Sequence, residues 1–189
     1  MDRIAAVSKV QLSDGDSLSN NLVTVGRYRL KMMTLSWEKL LLIWEQMKRF
    51  RTLFSDLTRG DLDNFIRYIT NDDTLWLEIW KDRELVGIVT LEDLHRIIDF
   101  ETHILFLDRD MTDKLPIVKA GVLWVFDNFP IQRMSVTLPP MYFATIRLVN
   151  EIGFKQEGRK RESLLLNGKW IDQYLFGLTR REAYAKCRS

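Results

Sequence analysis

Residues 144–183 read ATIRLVNEIGFKQEGRKRESLLLNGKWIDQYLFGLTRREA, and this stretch decides the fold. Tyr142 to Ile152 reads as a helix. Gly153 stands where a helix ends on a left-handed residue, which glycine adopts without a Cβ penalty. Phe154 then turns toward the core and opens a strand. Asn167-Gly168 is a strong two-residue hairpin signal. Beyond it Tyr174, Phe176 and Leu178 alternate, as one face of a half-buried strand does. The segment is therefore helix, strand, tight turn, strand.

Upstream, Arg133–Leu138 predicts a short strand closed by Pro139-Pro140. Asp113–Phe129 predicts a helix. Asp113 or Thr112 can cap it, Pro116 sits in the first turn where proline is tolerated, and Ile117, Ala120, Gly121, Trp124 and Val125 form the apolar face. Three strands precede it: Leu75–Trp80, Leu85–Leu91 after the turn Lys81-Asp82-Arg83-Glu84, and Phe100–Leu107. Gly87 inside the second predicts a bulge or a close backbone approach. Before them come two helices. One is capped by Ser36, with Leu40, Ile43, Trp44 and Met47 inward and Phe50, Leu53 and Phe54 continuing the series. The other runs from Asp61 to Thr70 with Leu62, Phe65, Ile66 and Ile69 inward. Asn21–Met33 predicts one strand, and residues 1–21 form a polar flexible arm. The body of the domain is expected over 22–183, with a basic tail at 184–189.

The order strand, two helices, three-strand meander, helix, strand, helix, hairpin resembles the GCN5-related N-acetyltransferase (GNAT) superfamily. Ala144-Thr145, Gly153-Phe154, Glu157-Gly158, Gly168 and Asp172 stand at the spacings of the branch that acetylates protein N-termini and small amines. The resemblance implies an α/β (α+β) fold with a mixed, twisted sheet of six or seven strands flanked by helices. Strands Phe100–Leu107 and Arg133–Leu138 are then parallel and splay apart, with acetyl-CoA between them. The expected core includes Trp76 or Trp80, Leu105, Phe126, Ile146 and Phe154.

The same resemblance implies an acetyl transfer to a primary amine, on a protein or a small molecule. A base takes a proton from the acceptor ammonium, and an acid protonates the departing thiolate. Glu101 is the first candidate base because it falls on a cleft strand, and Glu92 is the second; Asp93 and His103 lie nearby. Tyr142 replaces the family asparagine and is the candidate acid. Leu105, Phe106, Leu107, Arg109, Thr112, Lys114 and Thr145 are the expected acetyl-CoA contacts. The sequence departs from the family at the phosphate loop. LDRDMTDK (107–114) puts Asp110 and Thr112 where glycines normally admit a pyrophosphate, and Asp108, Asp110 and Asp113 repel one. A second reading follows from that departure: a binding or structural protein that kept the fold and lost the activity. Such degenerate domains also occur among bacteriophage proteins.

Composition narrows the remaining classes. Lys and Arg total 28 against 26 Asp and Glu, a balance that makes no case for nucleic-acid binding. Basic residues concentrate between Lys155 and Arg188; that segment and the N-terminal arm are the stretches available for protein assembly. A lone Cys187 forms no disulfide framework and suits a reducing, cytoplasmic compartment, or a virion or infected cell on the second reading. Two histidines, His95 and His103, make no metal site, and no apolar run is long enough to span a membrane.

Overall fold

The computed structural model describes residues 21–48, 61–94, 98–107, 113–166 and 168–188. Strands are β1 Asn21–Val25, β2 Tyr28–Met32, β3 Leu75–Lys81, β4 Glu84–Glu92, β5 Asp99–Phe106, β6 Arg133–Leu138, β7 Lys155–Leu166 and β8 Lys169–Thr179. Helices are α1 Trp37–Lys48, α2 Leu62–Ile69, α3 Lys114–Asn128, α4 Phe143–Ile152 and α5 Arg180–Cys187. The eight strands form one sheet in the order β1-β2-β3-β4-β5-β6-β8-β7. Every pair is antiparallel except β5 with β6.

The sheet has one strand more than the upper expectation because residues 21–33 form a hairpin. Gly26 has φ +56°, and Val25 pairs with Tyr28 across it. The apolar alternation changes phase at this point, from Val23 and Val25 to Tyr28, Leu30 and Met32. A single strand cannot present both sets on one face, and the two-residue turn resolves the conflict.

Alternation along β3 feeds two cores. Leu77 and Ile79 join the cluster under α3, α4 and α5, while Trp76 joins Leu40, Ile43, Trp44, Phe65 and Ile69 under α1 and α2. Gly87 shows both features expected of it. The β3–β4 register shifts beside it, between Ile79 and Trp80, and a Cβ on Gly87 would stand 3.2 Å from the Leu105 carbonyl oxygen.

Local chemistry explains the helix ends. Ser36 Oγ accepts from Lys39 N at 3.2 Å, and Asp61 Oδ1 accepts from Asn64 N at 2.9 Å. Gly153 ends α4 at φ +114°. The continuation Phe50, Leu53 and Phe54 lies outside the described residues, as does the N-terminal arm. No helix among the described residues is long and apolar enough to cross a membrane.

Three expectations need correction. The inward residues of α3 are Ile117, Val122, Val125 and Phe126, whereas Ala120, Gly121 and Trp124 are half-buried. The helix contacts β1, β2, α4 and α5, so it is covered over a wide arc rather than along one stripe. Ile146 is half-buried, because α4 turns Val149 and Ile152 inward. The basic tail expected from 184 is, as far as Cys187, the second half of α5. Thr179 and Glu182 form a capping box that starts this helix, and Ala183 is fully buried.

Arg180 joins α5 to the end of α3. Its guanidinium donates to the carbonyls of Phe126, Phe129 (2.6 Å) and Ile131 (2.8 and 3.0 Å), and to the Tyr184 hydroxyl (3.1 Å). The carbonyls at a helix C-terminus lack partners in the helix and carry partial negative charge, which a planar cation satisfies.

Candidate active site at the parting strands

Strands β5 and β6 pair over three positions only: Asp99 with Arg133, Phe100 with Met134, and Glu101 with Ser135. Both strands continue, to Phe106 and Leu138, without further pairing. The sheet therefore opens in its middle. Leu107 N donates to Val86 O at 2.9 Å, so odd-numbered residues of β5 turn their backbone groups to β4. Thr102, Ile104 and Phe106 turn theirs to the gap. Of the three expected β5 contacts, Phe106 thus offers its backbone to the gap, while Leu105 and Leu107 turn theirs away. The Leu105 side chain is buried under α1 and α2.

Side-chain parity gives the sheet two unlike faces around the gap. Glu101 and His103 of β5 lie beside Thr90 and Glu92 of β4 on the α1–α2 face, with Glu92 directly opposite Glu101 and Thr90 opposite His103. Glu92 is held in place. Its Oε1 accepts from the Tyr68 hydroxyl on α2 and from Thr90 Oγ1 at 3.3 Å, and it lies 3.6 Å from His103 Nε2. The Tyr68 ring packs edge-on against Trp76, centroids 5.3 Å apart. Burial and then the Glu92 charge push the Tyr68 phenol up, so it remains the donor. Ser135 and Thr137 extend the polar surface onto β6, and Lys160 Nζ reaches Thr137 Oγ1 at 3.3 Å.

At the paired end, Arg133 bridges Asp99 (3.1 Å) and Glu157 (2.7 Å). Burial raises the Asp99 carboxyl, with Arg133 opposing. Gly177 lies beneath this bridge; a Cβ there would collide with Glu157 and Arg133. Sequence reasoning missed Tyr68, Thr90 and the Asp99–Arg133–Glu157 bridge. The signal available was the β4–β5 register, which places Thr90 and Glu92 against His103 and Glu101.

Tyr142 precedes α4 and packs on the cluster under α3, across the sheet from Glu92 and Glu101. Burial raises its phenol. Thr145 is half-buried in the first turn of α4. Lys114, first residue of α3, sets its ammonium 4.6 Å from the centre of the Phe106 ring. Asp113 makes no side-chain capping bond, so it does not occupy the first-turn N–H groups of α3. Arg109 and Thr112, with Asp108 and Asp110, lie outside the described residues, as does His95. Among the described residues no three His, Cys, Asp or Glu side chains are grouped to hold a metal ion.

No protein-family model matches the sequence, and no curated protein matches it. Solved structures do match in fold. The spermidine N-acetyltransferase of Vibrio cholerae, solved with CoA and spermine, superposes with TM-score 0.68 at 14% identity, covering 83% of this chain and 98% of that one. RimJ of Mycobacterium smegmatis, in complex with CoA-disulfide, gives TM-score 0.64 at 14% identity over 84% of this chain and 87% of that one. The ribosomal-protein-S5-alanine acetyltransferase of Vibrio fischeri gives 0.64 at 14% over 83% and 95%. The chain therefore has the fold of the GNAT acetyltransferases, as its C-terminal landmarks imply.

Proposed function

We propose that the protein is an N-acyltransferase that moves an acetyl group from acetyl-CoA to a primary amine. The observation that carries this reading is the three-residue pairing of β5 with β6 and the gap beyond it. That gap has unpaired backbone positions along one edge and paired carboxylates on one face. The neighbours crystallised with CoA or CoA-disulfide share the fold, and their names describe transfer to spermidine or to a protein alanine.

The residues at the gap fit the cosubstrate's middle portion. Backbone groups of Ile104 and Phe106 suit the amides of a pantetheine, and the α3 N-terminus with Lys114 lies toward its phosphates. When bound, the cosubstrate supplies an acyl thioester whose carbon accepts the amine nitrogen as the carbon–sulfur bond breaks. Glu101 takes the ammonium proton, directly or through water, from the α1–α2 face. Glu92, fixed by Tyr68 and Thr90, adds negative charge beside it. Two carboxylates directly opposite on a ladder repel, and a bound ammonium relieves that repulsion. Tyr142, across the sheet, returns a proton to the thiolate.

The phosphate loop favours the second reading, a fold-retaining binding or structural protein, because Asp110 and Thr112 stand where glycines are needed. Calorimetric titration with acetyl-CoA, followed by CoA release in the presence of mixed amines, separates the two. Low-micromolar affinity, about −8 kcal/mol, with amine-dependent release establishes the transferase. No binding at millimolar ligand, in the wild type and in the Asp110→Gly/Thr112→Gly variant alike, removes the transferase reading and leaves the fold-retaining protein, to be sought as a partner in an assembly.

A further inference from the structure

The gap between β5 and β6 opens, on the α3–α4 side, above an apolar cavity of about 60 Å³. Thr102 and Ile104 of β5 and Met134 and Val136 of β6 line one end of it, behind the point where the strands part, and from there it runs beneath β4 and β3 as far as Leu30 of β2. Gly121 of α3 and Val149 of α4 form part of its far wall. Among the described residues Thr102 is the only polar side chain on the lining, and its hydroxyl donates to the Thr90 carbonyl at 3.0 Å. The described lining is therefore almost entirely hydrocarbon, which favours an apolar occupant over water.

A space of this size is uncommon in a close-packed interior. Its placement is informative here. The acceptor amine approaches from the polar face that carries Glu92 and Glu101. The hydrocarbon end of an acyl group held in the gap has the opposite, apolar side open to it. A water-sized group needs about 15 Å³ of such space, so the cavity has room for about four of them. An acetyl methyl uses about one.

We propose that the site also transfers short unbranched acyl chains of about three to five carbons, at least as well as acetyl, with the tail in this cavity. The inference rests on the transferase reading and refines its donor substrate. The bonds made and broken are those already described: nitrogen to acyl carbon forms, carbon to sulfur breaks, the ammonium proton leaves to Glu101, and the thiolate is protonated. Only the tail differs.

The test is CoA release by the full chain with acetyl-, propionyl-, butyryl- and octanoyl-CoA. Acceptors are spermidine and a peptide with a free amino terminus. The wild type should use butyryl-CoA with kcat/KM at or above that for acetyl-CoA, and should reject octanoyl-CoA. Gly121→Leu places a side chain into the cavity and should lower the butyryl-to-acetyl ratio by about tenfold or more. Val136→Ala enlarges the cavity and should shift the preference to longer chains; it decides the matter if Gly121→Leu does not fold. Acetyl-CoA preferred about tenfold by the wild type overturns the inference and leaves the transferase reading standing. A ratio unmoved in a folded cavity variant does the same. No binding and no turnover of any of the four thioesters overturns both.

Discussion

Glu92 and Glu101 face each other across the β4–β5 ladder, and the Tyr68 hydroxyl reaches from α2 to fix the first of them. The two carboxylates therefore differ in role although they share a face. Glu92 is part of a bonded group with Thr90 and, at 3.6 Å, His103. Glu101 stands at the last paired position before the strands part.

Glu101→Gln should lower kcat for amine acylation by about 10²–10⁴-fold at neutral pH, as loss of a general base does. Tyr68→Phe should act more weakly, by loosening Glu92. Steady-state assays of both variants against the same thioester check this. Equal losses in the two, or no loss in Glu101→Gln, would assign the base elsewhere.

Phe126 is fully buried and Phe154 is 6% exposed, each within the cluster under α3 to α5. Truncating either to alanine removes a ring that the surrounding helices and sheet cannot replace. Each change should cost about 3–5 kcal/mol in chemical denaturation. A loss below about 1 kcal/mol at both positions contradicts the packing described.

Arg180→Ala should destabilise the fold by about 1–3 kcal/mol, because it removes the donors for three carbonyls at the end of α3. Arg180→Lys should recover only part of that loss. One ammonium carries the charge but cannot present a planar fork to carbonyls lying in different directions. Urea melts of the two variants read the difference directly.

The Glu182 carboxyl is lowered from its ordinary 4.5 to about 2, first by Lys155 and then by the Thr179 backbone and hydroxyl of the capping box. A group depressed in the folded state contributes stability that is fully present above its unfolded value and is lost as pH falls through the folded one. Stability should therefore decline between about pH 4.5 and about pH 2 through this residue. Glu182→Gln keeps the cap geometry but removes the charge. Acid titrations followed by circular dichroism should show a shallower decline for the variant over that interval; superimposable curves count against the linkage.

Much of the architecture was legible in local patterns. Ser36, Asp61 and Gly153 mark helix ends through chemistry confined to one turn, and Gly168 does the same for the last hairpin. The first strand of the meander and the last strand of the sheet were legible because alternation at Leu75–Trp80 and at Tyr174, Phe176 and Leu178 depends on pleat alone. The β1–β2 hairpin was missed although its phase change at Gly26 was in view. The capped start of α5 at Thr179 and Glu182 was visible too, but basic residues obscured a helix held mainly by Ala183 and by packing on α3.

The sequence by itself determined most of the elements and placed Glu92 and Glu101 on the adjacent central strands, because pleat, turn and cap chemistry are short-range. Only the tertiary structure decided what surrounds them. The distance from Tyr68 to Glu92 in the chain is 24 residues, and the bridge from Arg133 to Glu157 spans as many. Neither pairing has a local signature. The point at which β5 and β6 part, and the cavity behind it, depend on how α3 and α4 pack across two strands separated by the whole crossover. Such packing is a property of volumes brought together from distant segments, which no local period records.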